Sequence, residues 1–245
     1  EELLDDVYEH DAAMMQKVES LADTLDSLAK QSSDPGELAA VVFCQGCPWR
    51  CGYCQNSHLL PRSQAGEIAW TEVVDFLSRR RGLLDAVVFS GGEPTLQKFL
   101  PQAIRQVRQM GFKIGLHTAG CYPERLKQVL PLVDWVGMDI KGLPDQYQAI
   151  TRTPGSGERA WESLDAVLAS GVVYEVRTTR LPGTTDAQLL ELSRALSERG
   201  VERYALQTCR TQETLDPGLK HITDASPGQQ LLDELQRSIP GAIFR

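Results

Sequence analysis

An α/β fold built on a parallel sheet is predicted for this chain from two observations. Six short apolar runs have the length and composition of buried strands, and helical segments separate them along the 245-residue sequence. Strands buried on both faces read as continuous apolar runs, and neighbouring parallel strands need a crossover connection that is usually a helix. A chain of this length can bury one sizeable core, so the alternation predicts one α/β domain.

The predicted strands leave room for helices between them. The six predicted strands cover residues 38–43, 85–89, 112–117, 132–140, 172–178 and 203–207, with a short edge strand at 242–244. Helices are predicted at 96–107, at 158–169, from a cap at Thr185 or Asp186 to Gly200, and at 227–239. Glycines at 111, 171 and 200 mark the ends of three of these helices. The segment 151–157 is predicted to be a plain connection or, alternatively, a mobile loop over a site.

The acidity of the chain is concentrated at its beginning. Residues 1–34 hold ten acidic and two basic side chains, while the remaining 211 residues balance at 23 of each sign. Residues 1–30 are predicted to form an amphipathic helix, and its apolar positions are Leu4, Val7, Met14, Val18, Leu21, Leu25 and Leu28. That helix packs on its own domain, docks on a partner, or is a frayed extension. The predicted division is therefore an acidic helical extension at 1–33 and a main domain at 34–245.

Composition excludes several classes of function. The net charge of −8 argues against broad binding to nucleic acid or to anionic membranes. No stretch approaches the 18 apolar residues or so of a transmembrane helix. The acidic first thirty residues do not resemble a secretory signal, so a cytoplasmic location with reduced cysteines is expected.

Four of the six cysteines fall between positions 44 and 54. The spacing Cys47-x3-Cys51-x2-Cys54 places three thiolates in one tight loop, which is typical of iron–sulfur ligation. Three ligands on a four-iron cluster leave one iron able to bind a small molecule. The alternative is a structural zinc site that adds Cys44, although eleven residues are a cramped loop for four ligands. Cys44 ends an apolar run and is expected to be a buried structural thiol.

The cysteine loop and a second motif together resemble the radical S-adenosylmethionine (SAM) superfamily. The second motif is Gly-Gly-Glu-Pro at 91–94, directly after the second predicted strand. Residues 43–47 and 50–56 are similar to the cluster loop of glycyl-radical-enzyme activating enzymes, and Asp-Pro-Gly at 34–36 resembles that family's entry motif, one residue short. The branch most resembled is the activating proteins of anaerobic ribonucleoside-triphosphate reductase, over residues 34 to 245.

This resemblance implies a partial, open (β/α)6 barrel and a radical reaction. One [4Fe-4S] cluster and SAM would be the cofactors, and a flavodoxin- or ferredoxin-type protein would deliver the electron. The partner would be a glycyl-radical enzyme, in which a 5′-deoxyadenosyl radical removes a hydrogen atom from a backbone glycine. No side chain would act as a general acid or base. Another radical SAM enzyme with a different peptide or small molecule as substrate, and a non-enzymatic iron–sulfur or zinc module, are the alternatives.

The resemblance also implies roles for particular residues. Cys47, Cys51 and Cys54 would hold the cluster, Tyr53 would lie near the adenine, and the 91–94 turn would receive the methionine amino group. Asp139 and Lys141 would bind the ribose and the methionine carboxylate or a nearby cation. The SAM-binding residues implied in this way are Tyr53, Gly91, Gly92, Glu93, Pro94, Thr118, Asp139, Lys141 and Arg177.

A few residues depart from the pattern or stand outside it. Gln55 follows the last loop cysteine where the family often has histidine, which should be tolerated because neither side chain is a cluster ligand. His58 and His221 are expected to be ordinary surface residues. Cys121 and Cys209 stand alone in the sequence and are expected to be buried, unreactive thiols. The chain has no second cysteine cluster, so the ferredoxin-like insert of some activating enzymes is absent.

Overall fold

The structure is a computed structural model that describes residues 37–62, 68–210, 214–219 and 228–245. The predicted acidic helix over residues 1–30, the entry motif at 34–36 and His221 lie outside the described residues. The division between an extension at 1–33 and a domain from residue 34 therefore stays a prediction.

A single seven-stranded sheet organises the described chain. Its strands are β1 (Ala39–Cys44), β2 (Ala86–Gly91), β3 (Lys113–Thr118), β4 (Trp135–Asp139), β5 (Val173–Arg180), β6 (Tyr204–Thr208) and β7 (Ile243–Phe244). Every neighbouring pair is parallel, and the spatial order follows the chain order from β1 to β7. Since β1 and β7 stand at opposite edges, the sheet is an open one, as the predicted partial barrel requires. The parallel α/β fold is confirmed, with a seventh short strand at its edge.

Helices form the crossover connections between the strands. They are α1 (Trp70–Ser78), α2 (Leu100–Gln109), α3 (Pro123–Val129), α4 (Tyr147–Thr151), α5 (Ser156–Ser170), α6 (Asp186–Glu198) and α7 (Gln229–Ser238). Thr185 caps α6 by accepting a hydrogen bond from the Gln188 amide, as one of the two predicted caps should. The sequence did not predict α1, α3 or α4, and two of these are too short to show a helical period.

Two predicted segments differ from the structure. The fourth strand was predicted over 132–140 but covers only Trp135–Asp139. The chain before it is not a strand because Leu130–Leu132, which includes a proline, forms a 3-10 turn. Within the predicted loop 151–157, only residues 152–155 lie outside helices. Thr151 and Ser156 at its two ends are buried, and their hydroxyl groups lie 2.7 Å apart. The segment is therefore a short connection whose two ends are buried and whose middle is largely exposed.

The core lies between the sheet and its helices. Alternate strand residues such as Val87, Phe89, Ile114, Leu116, Val136 and Met138 are at most 1% exposed and contribute to one apolar cluster with α2 and α5. The intervening strand residues, including Ser90, His117, Asp139 and Arg177, lie on the opposite face, which is the interior of the partial barrel. Among the described residues, no helix is long and apolar enough to cross a membrane.

Candidate active site

The motifs predicted to carry chemistry meet at one edge of the sheet. The cysteine loop follows β1, the Gly-Gly-Glu-Pro turn follows β2, Thr118 ends β3, Asp139 ends β4 and Arg177 lies within β5. In parallel α/β barrels the carboxyl ends of the strands form the active-site face. The topology therefore brings together nearly all the residues that the sequence singled out.

Two glycines let the turn after β2 lie directly against the cysteine loop. Gly91 has φ +111°, and a Cβ placed on it would lie 2.4 Å from the Cys44 nitrogen. A Cβ on Gly92 would lie 2.4 Å from the Gly46 carbonyl oxygen. Instead, the Gly92 amide donates to the Cys44 carbonyl and the Glu93 amide donates to the Gly46 carbonyl, both at 2.9 Å. The two glycines are therefore needed for backbone contact between the two motifs. The sequence analysis expected them only to let the backbone approach the ligand.

The Glu93 carboxylate is completely buried and accepts four hydrogen bonds. Its Oε1 accepts from the Thr95 amide at 3.1 Å, the Thr95 hydroxyl at 2.6 Å and the Thr118 hydroxyl at 2.7 Å. Its Oε2 accepts from the Ala119 amide at 2.9 Å. Glu93 thus joins the end of β2 to the end of β3, and Oε2 is the carboxylate oxygen with fewer donors. The implied contact with a substrate amino group stays a prediction.

Lys141 connects the end of β4 to the cysteine loop. Its Nζ donates to the Tyr53 hydroxyl at 3.0 Å and lies 3.6 Å from Asp139 Oδ2. The Lys141 side chain is 8% exposed, whereas that of Asp139 is 48% exposed. Burial opposes the charge of Lys141, but Tyr53, Asp139 and Cys51 around it hold its pKa well above the usual value. Asp139 and Lys141 do share one side of the strand end, as predicted.

Burial raises the pKa values of the three loop thiols, whereas hydrogen bonds and nearby cations lower them. Burial raises the pKa of Cys51 to about 11, while the nearby Lys141 charge acts in the other direction. Burial also raises the pKa of Cys54, and Arg50 partly offsets that effect. A hydrogen bond with Cys121 lowers the pKa of Cys47. Cys47 is therefore the thiol of the three that is most easily ionised.

Cys121 has a neighbour in the site that its isolated position in the sequence did not indicate. It is buried, as expected, and its thiol lies close enough to Cys47 to lower the pKa of that thiol. Burial raises its pKa well above the usual value. It follows β3 at the same sheet edge as the motifs, and that position was the signal available in the sequence. Cys44, Cys209 and His58 are placed as expected, the two thiols buried and the histidine exposed.

A chain of polar side chains, buried or half-buried except at Arg245, crosses the barrel interior below these motifs. Arg177 Nε donates to Glu175 Oε1 at 2.8 Å, and the guanidinium of Arg245 binds both Glu175 oxygens at 3.1 and 2.8 Å. Arg177 NH1 donates to His117 Nε2 at 3.3 Å, so the neutral ring carries its proton on Nδ1, 3.3 Å from the Ser90 hydroxyl. Sequence reasoning found Arg177 and missed Glu175, although their spacing of two along a strand puts both on one face.

Segments distant in sequence hold the cysteine loop from outside. The Arg50 amide donates to the Thr151 carbonyl at 2.9 Å, and the buried Trp49 ring meets the Tyr147 ring edge-on at 5.8 Å between centroids. From the segment after β6, the Leu215 amide donates to the Cys54 carbonyl at 3.1 Å and the Asp216 amide to the Gly52 carbonyl at 2.8 Å. The loop is thereby fixed at both ends and along its middle.

Comparison with known proteins agrees with this arrangement. The profile of the Radical SAM superfamily matches residues 41–196, which includes the cysteine loop and strands β2 to β5. The chain belongs to the radical SAM superfamily. Its relatives include a provisionally named glycyl-radical enzyme activating enzyme from Methanocaldococcus jannaschii, 29% identical over 77% of this chain and 80% of that protein. The pyruvate formate-lyase-activating enzyme of Clostridium pasteurianum is 34% identical over 63% of this chain and 66% of its own length.

Solved structures show the same fold. SuiB from Streptococcus suis, crystallised with S-adenosylmethionine bound, superposes with a TM-score of 0.60 and 15% identity. The match covers 89% of this radical SAM chain but only 49% of SuiB, so the chain spans about half of that larger protein. At this identity the similarity establishes the fold and nothing more specific.

The donor set of the cysteine loop fits the cluster that the superfamily implies. Three soft thiols lie within one short loop, and the cationic side chains of Lys141 and Arg50 lower the cost of ionising them. In the described part of the chain, no three Cys, His, Asp or Glu side chains are already gathered as metal ligands. Cys44 lies fully buried in β1, where burial raises its pKa further than that of the loop thiol Cys51. This environment favours Cys47, Cys51 and Cys54 over Cys44 as the thiolate ligands.

Proposed function

We propose that this radical SAM enzyme is a glycyl-radical-enzyme activating enzyme, and that its partner is an anaerobic ribonucleoside-triphosphate reductase. The observation that carries the proposal is the similarity to a glycyl-radical enzyme activating enzyme over 80% of that protein's length. The relative from Clostridium pasteurianum, also named as an activating enzyme, supports the same class of reaction. The choice of reductase rests on the resemblance of the cysteine loop at 43–56.

In this proposal Cys47, Cys51 and Cys54 hold a [4Fe-4S] cluster. When bound there and reduced, the cluster would supply one electron for the cleavage of SAM into methionine and a 5′-deoxyadenosyl radical. That radical would take a hydrogen atom from a partner glycine and leave 5′-deoxyadenosine and a glycyl radical. The protein's part is to bind, orient and exclude water. No side chain needs to give or take a proton.

In the proposal, the residues around the loop bind SAM. The backbone of the turn at Gly91 and Gly92, with Glu93 Oε2 and Pro94 behind it, would receive the methionine ammonium. Lys141 is a buried cation within reach of the cysteine loop and suits the methionine carboxylate, while the more exposed Asp139 suits the ribose hydroxyls. Tyr53 would lie against the adenine, and Thr118 and Arg177 would complete the wall on the β3 and β5 sides. Each of these contacts belongs to the proposal.

The first experiment tests radical SAM chemistry itself. The protein is reconstituted anaerobically with iron and sulfide, reduced with dithionite and given SAM, and 5′-deoxyadenosine is measured. Cys51→Ala should abolish the product, whereas Cys209→Ala, which removes a buried thiol outside the loop, should retain it. Bound zinc, or an intact cluster that never cleaves SAM, would overturn the mechanism.

The second experiment tests the partner. The reconstituted protein is mixed with a purified anaerobic ribonucleoside-triphosphate reductase or a pyruvate formate-lyase, and the glycyl radical is detected by electron paramagnetic resonance. A radical on the reductase alone supports the proposal. A radical on pyruvate formate-lyase alone keeps the reaction class and changes the partner. SAM cleavage with no radical on either protein would favour a radical SAM enzyme for another peptide or small molecule.

A further inference from the structure

The surface around the cysteine loop is positively charged. Residues 45–62 contain Arg50, His58 and Arg62 and no acidic residue. Arg50 is exposed, and its NH1 donates to the Cys47 carbonyl at 3.0 Å, so its charge lies directly on the loop. Arg62 is also exposed, and its Cα would lie 3.4 Å from a Cβ placed on Gly46. The charge of Arg50 therefore lies on the loop itself, and the main chain of the exposed Arg62 lies beside Gly46, next to the first cysteine.

Three more arginines reach the same surface from other elements. Arg125 of α3 donates to the Leu96 carbonyl at 2.6 Å and lies 4.8 Å from the Tyr122 ring, beside Cys121. The exposed Arg152 has an NH2 that would lie 3.9 Å from a Cβ on Gly52. The exposed Arg210 accepts a hydrogen bond from Gln55 Nε2 at its carbonyl, 3.1 Å away. We call these five residues the arginine collar: Arg50, Arg62, Arg125, Arg152 and Arg210.

The collar is a local concentration of charge and not a property of the whole body. Residues 35–245 carry equal numbers of acidic and basic side chains. Among the described residues, the collar forms an ion pair with Asp216, whose Oδ2 lies 3.4 Å from Arg152 NH2. Folding has thus gathered cations from four separate segments around the cysteine loop. Such a patch steers and orients a partner of opposite charge.

Resting on the proposed function, we infer that the arginine collar is the docking surface for an acidic one-electron donor protein. The barrel side of the loop faces Lys141 and Tyr53, where SAM is proposed to bind, so an electron must arrive from the outer side. On docking, the donor loses one electron, as a flavodoxin hydroquinone does when it becomes the semiquinone, and the oxidised iron–sulfur centre held by the loop gains that electron. An acidic face on the donor matches the collar.

The test uses variants that remove charge without touching the hydrogen bonds of the loop. Arg62 and Arg210 meet the loop through main-chain atoms, so their side chains can be changed. The test variant is Arg62→Gln/Arg210→Gln, and its matched control, Arg62→Lys/Arg210→Lys, keeps both charges. A second control, Arg79→Gln/Arg105→Gln, removes two exposed charges from the region of α1 and α2.

Binding is measured by titrating the reconstituted protein with a strongly acidic flavodoxin, using flavin fluorescence, at salt concentrations from about 0.03 to about 0.5 M. The rate of semiquinone formation from photoreduced flavodoxin is followed in parallel. At low salt the glutamine pair should weaken binding about tenfold and flatten its salt dependence. Both control variants should stay within about twofold of the wild type. With dithionite as electron source, all three variants should form 5′-deoxyadenosine at the wild-type rate.

Several results would overturn the inference. Equal flavodoxin affinity in all variants, or wild-type affinity that does not change with salt, would show that the collar does not bind the donor. Normal flavodoxin binding combined with impaired dithionite-driven radical formation on the glycyl-radical enzyme would assign the surface to that enzyme instead. If the wild type cleaves no SAM with dithionite, the proposed function fails, while the flavodoxin titrations still decide the role of the collar.

Discussion

The ammonium of Lys141, just beyond β4, donates a hydrogen bond to the hydroxyl of Tyr53, inside the cysteine loop, at 3.0 Å. The Lys141 amide in turn donates to the Tyr147 hydroxyl at 2.9 Å, and the Tyr147 ring packs on Trp49 of the same loop. One residue thus connects the strand end to the loop through both its main chain and its side chain. Burial raises the pKa of Cys51, and Lys141 offsets part of that rise, so this residue affects both the geometry of the loop and the ionisation of its thiols.

Replacing Lys141 should therefore impair the reaction more than it impairs folding. Lys141→Met removes the buried charge but keeps most of the side-chain volume, and we expect 5′-deoxyadenosine formation to fall about a hundredfold. Tyr53→Phe, which removes only the hydroxyl, should cost about threefold to tenfold. The rate and the equilibrium binding of SAM are measured on reconstituted proteins with equal iron content. A Lys141→Met protein that reacts at the wild-type rate would contradict this role.

A methyl group at Gly91 should be far more damaging than one at another glycine of similar conformation. Gly91→Ala combines strain at φ +111° with a contact of 2.4 Å to the Cys44 nitrogen, whereas Gly111→Ala at φ +98° meets nothing within 4 Å. We expect the free energy of unfolding to fall by about 1 to 3 kcal/mol for Gly111→Ala, from strain alone, and by distinctly more for Gly91→Ala. Denaturant unfolding of the two variants measures the difference. Equal losses would mean that the turn can move away from the cysteine loop.

His117 should make the fold less stable in acid. Burial, and then the positive charge of Arg177, lower the pKa of His117 well below 6.5 in the folded chain. Below about pH 6.5 the histidine therefore binds a proton in the unfolded chain but not in the folded chain. The free energy of unfolding should fall as the pH drops through that value. The slope for one proton is at most about 1.4 kcal/mol per pH unit.

The check is the free energy of unfolding at several pH values between about 7.5 and 5.0. His117→Gln should flatten the acid slope, while His58→Gln, at an exposed position, should leave it unchanged. Identical slopes for wild type and His117→Gln would show that another group is responsible.

Glu175 should be a major determinant of stability. Its carboxylate binds Arg177 and Arg245 together, and Glu175 and Arg177 are 6% and 7% exposed. Glu175→Gln removes the carboxylate that pairs with the buried Arg177 and with Arg245, whose side chain is 28% exposed, and we expect a loss of about 3 kcal/mol. The exposed Glu202→Gln is the control and should change stability by less than about 0.5 kcal/mol. Thermal and denaturant unfolding measure both variants, and a small effect at Glu175 would refute the buried network.

The sequence predicted the sheet and its motifs because those depend on local information. Apolar runs located the six main strands, and the cysteine spacing located the site. It failed where the local signal was short or weak. The helix Pro123–Val129 has too few residues to show a period, and the fourth strand was predicted to begin at residue 132, three residues too early, because Leu132 and Val133 are apolar. The sequence did not indicate a role for Glu175, because a single acidic residue in a strand does not reveal which side chains pair with it in space.

The sequence by itself determined the family of this protein, since residue types at fixed spacing specify thiolate ligation and the turn after β2. Only the tertiary structure decided which distant residues share one environment. It brought Cys121 to Cys47, Lys141 to Tyr53, and Glu175 to Arg245. It also gathered the arginine collar from separate segments. The physical reason is that hydrogen bonds and charge interactions act over a few ångströms in space, and chain spacing fixes such distances only within one turn or loop.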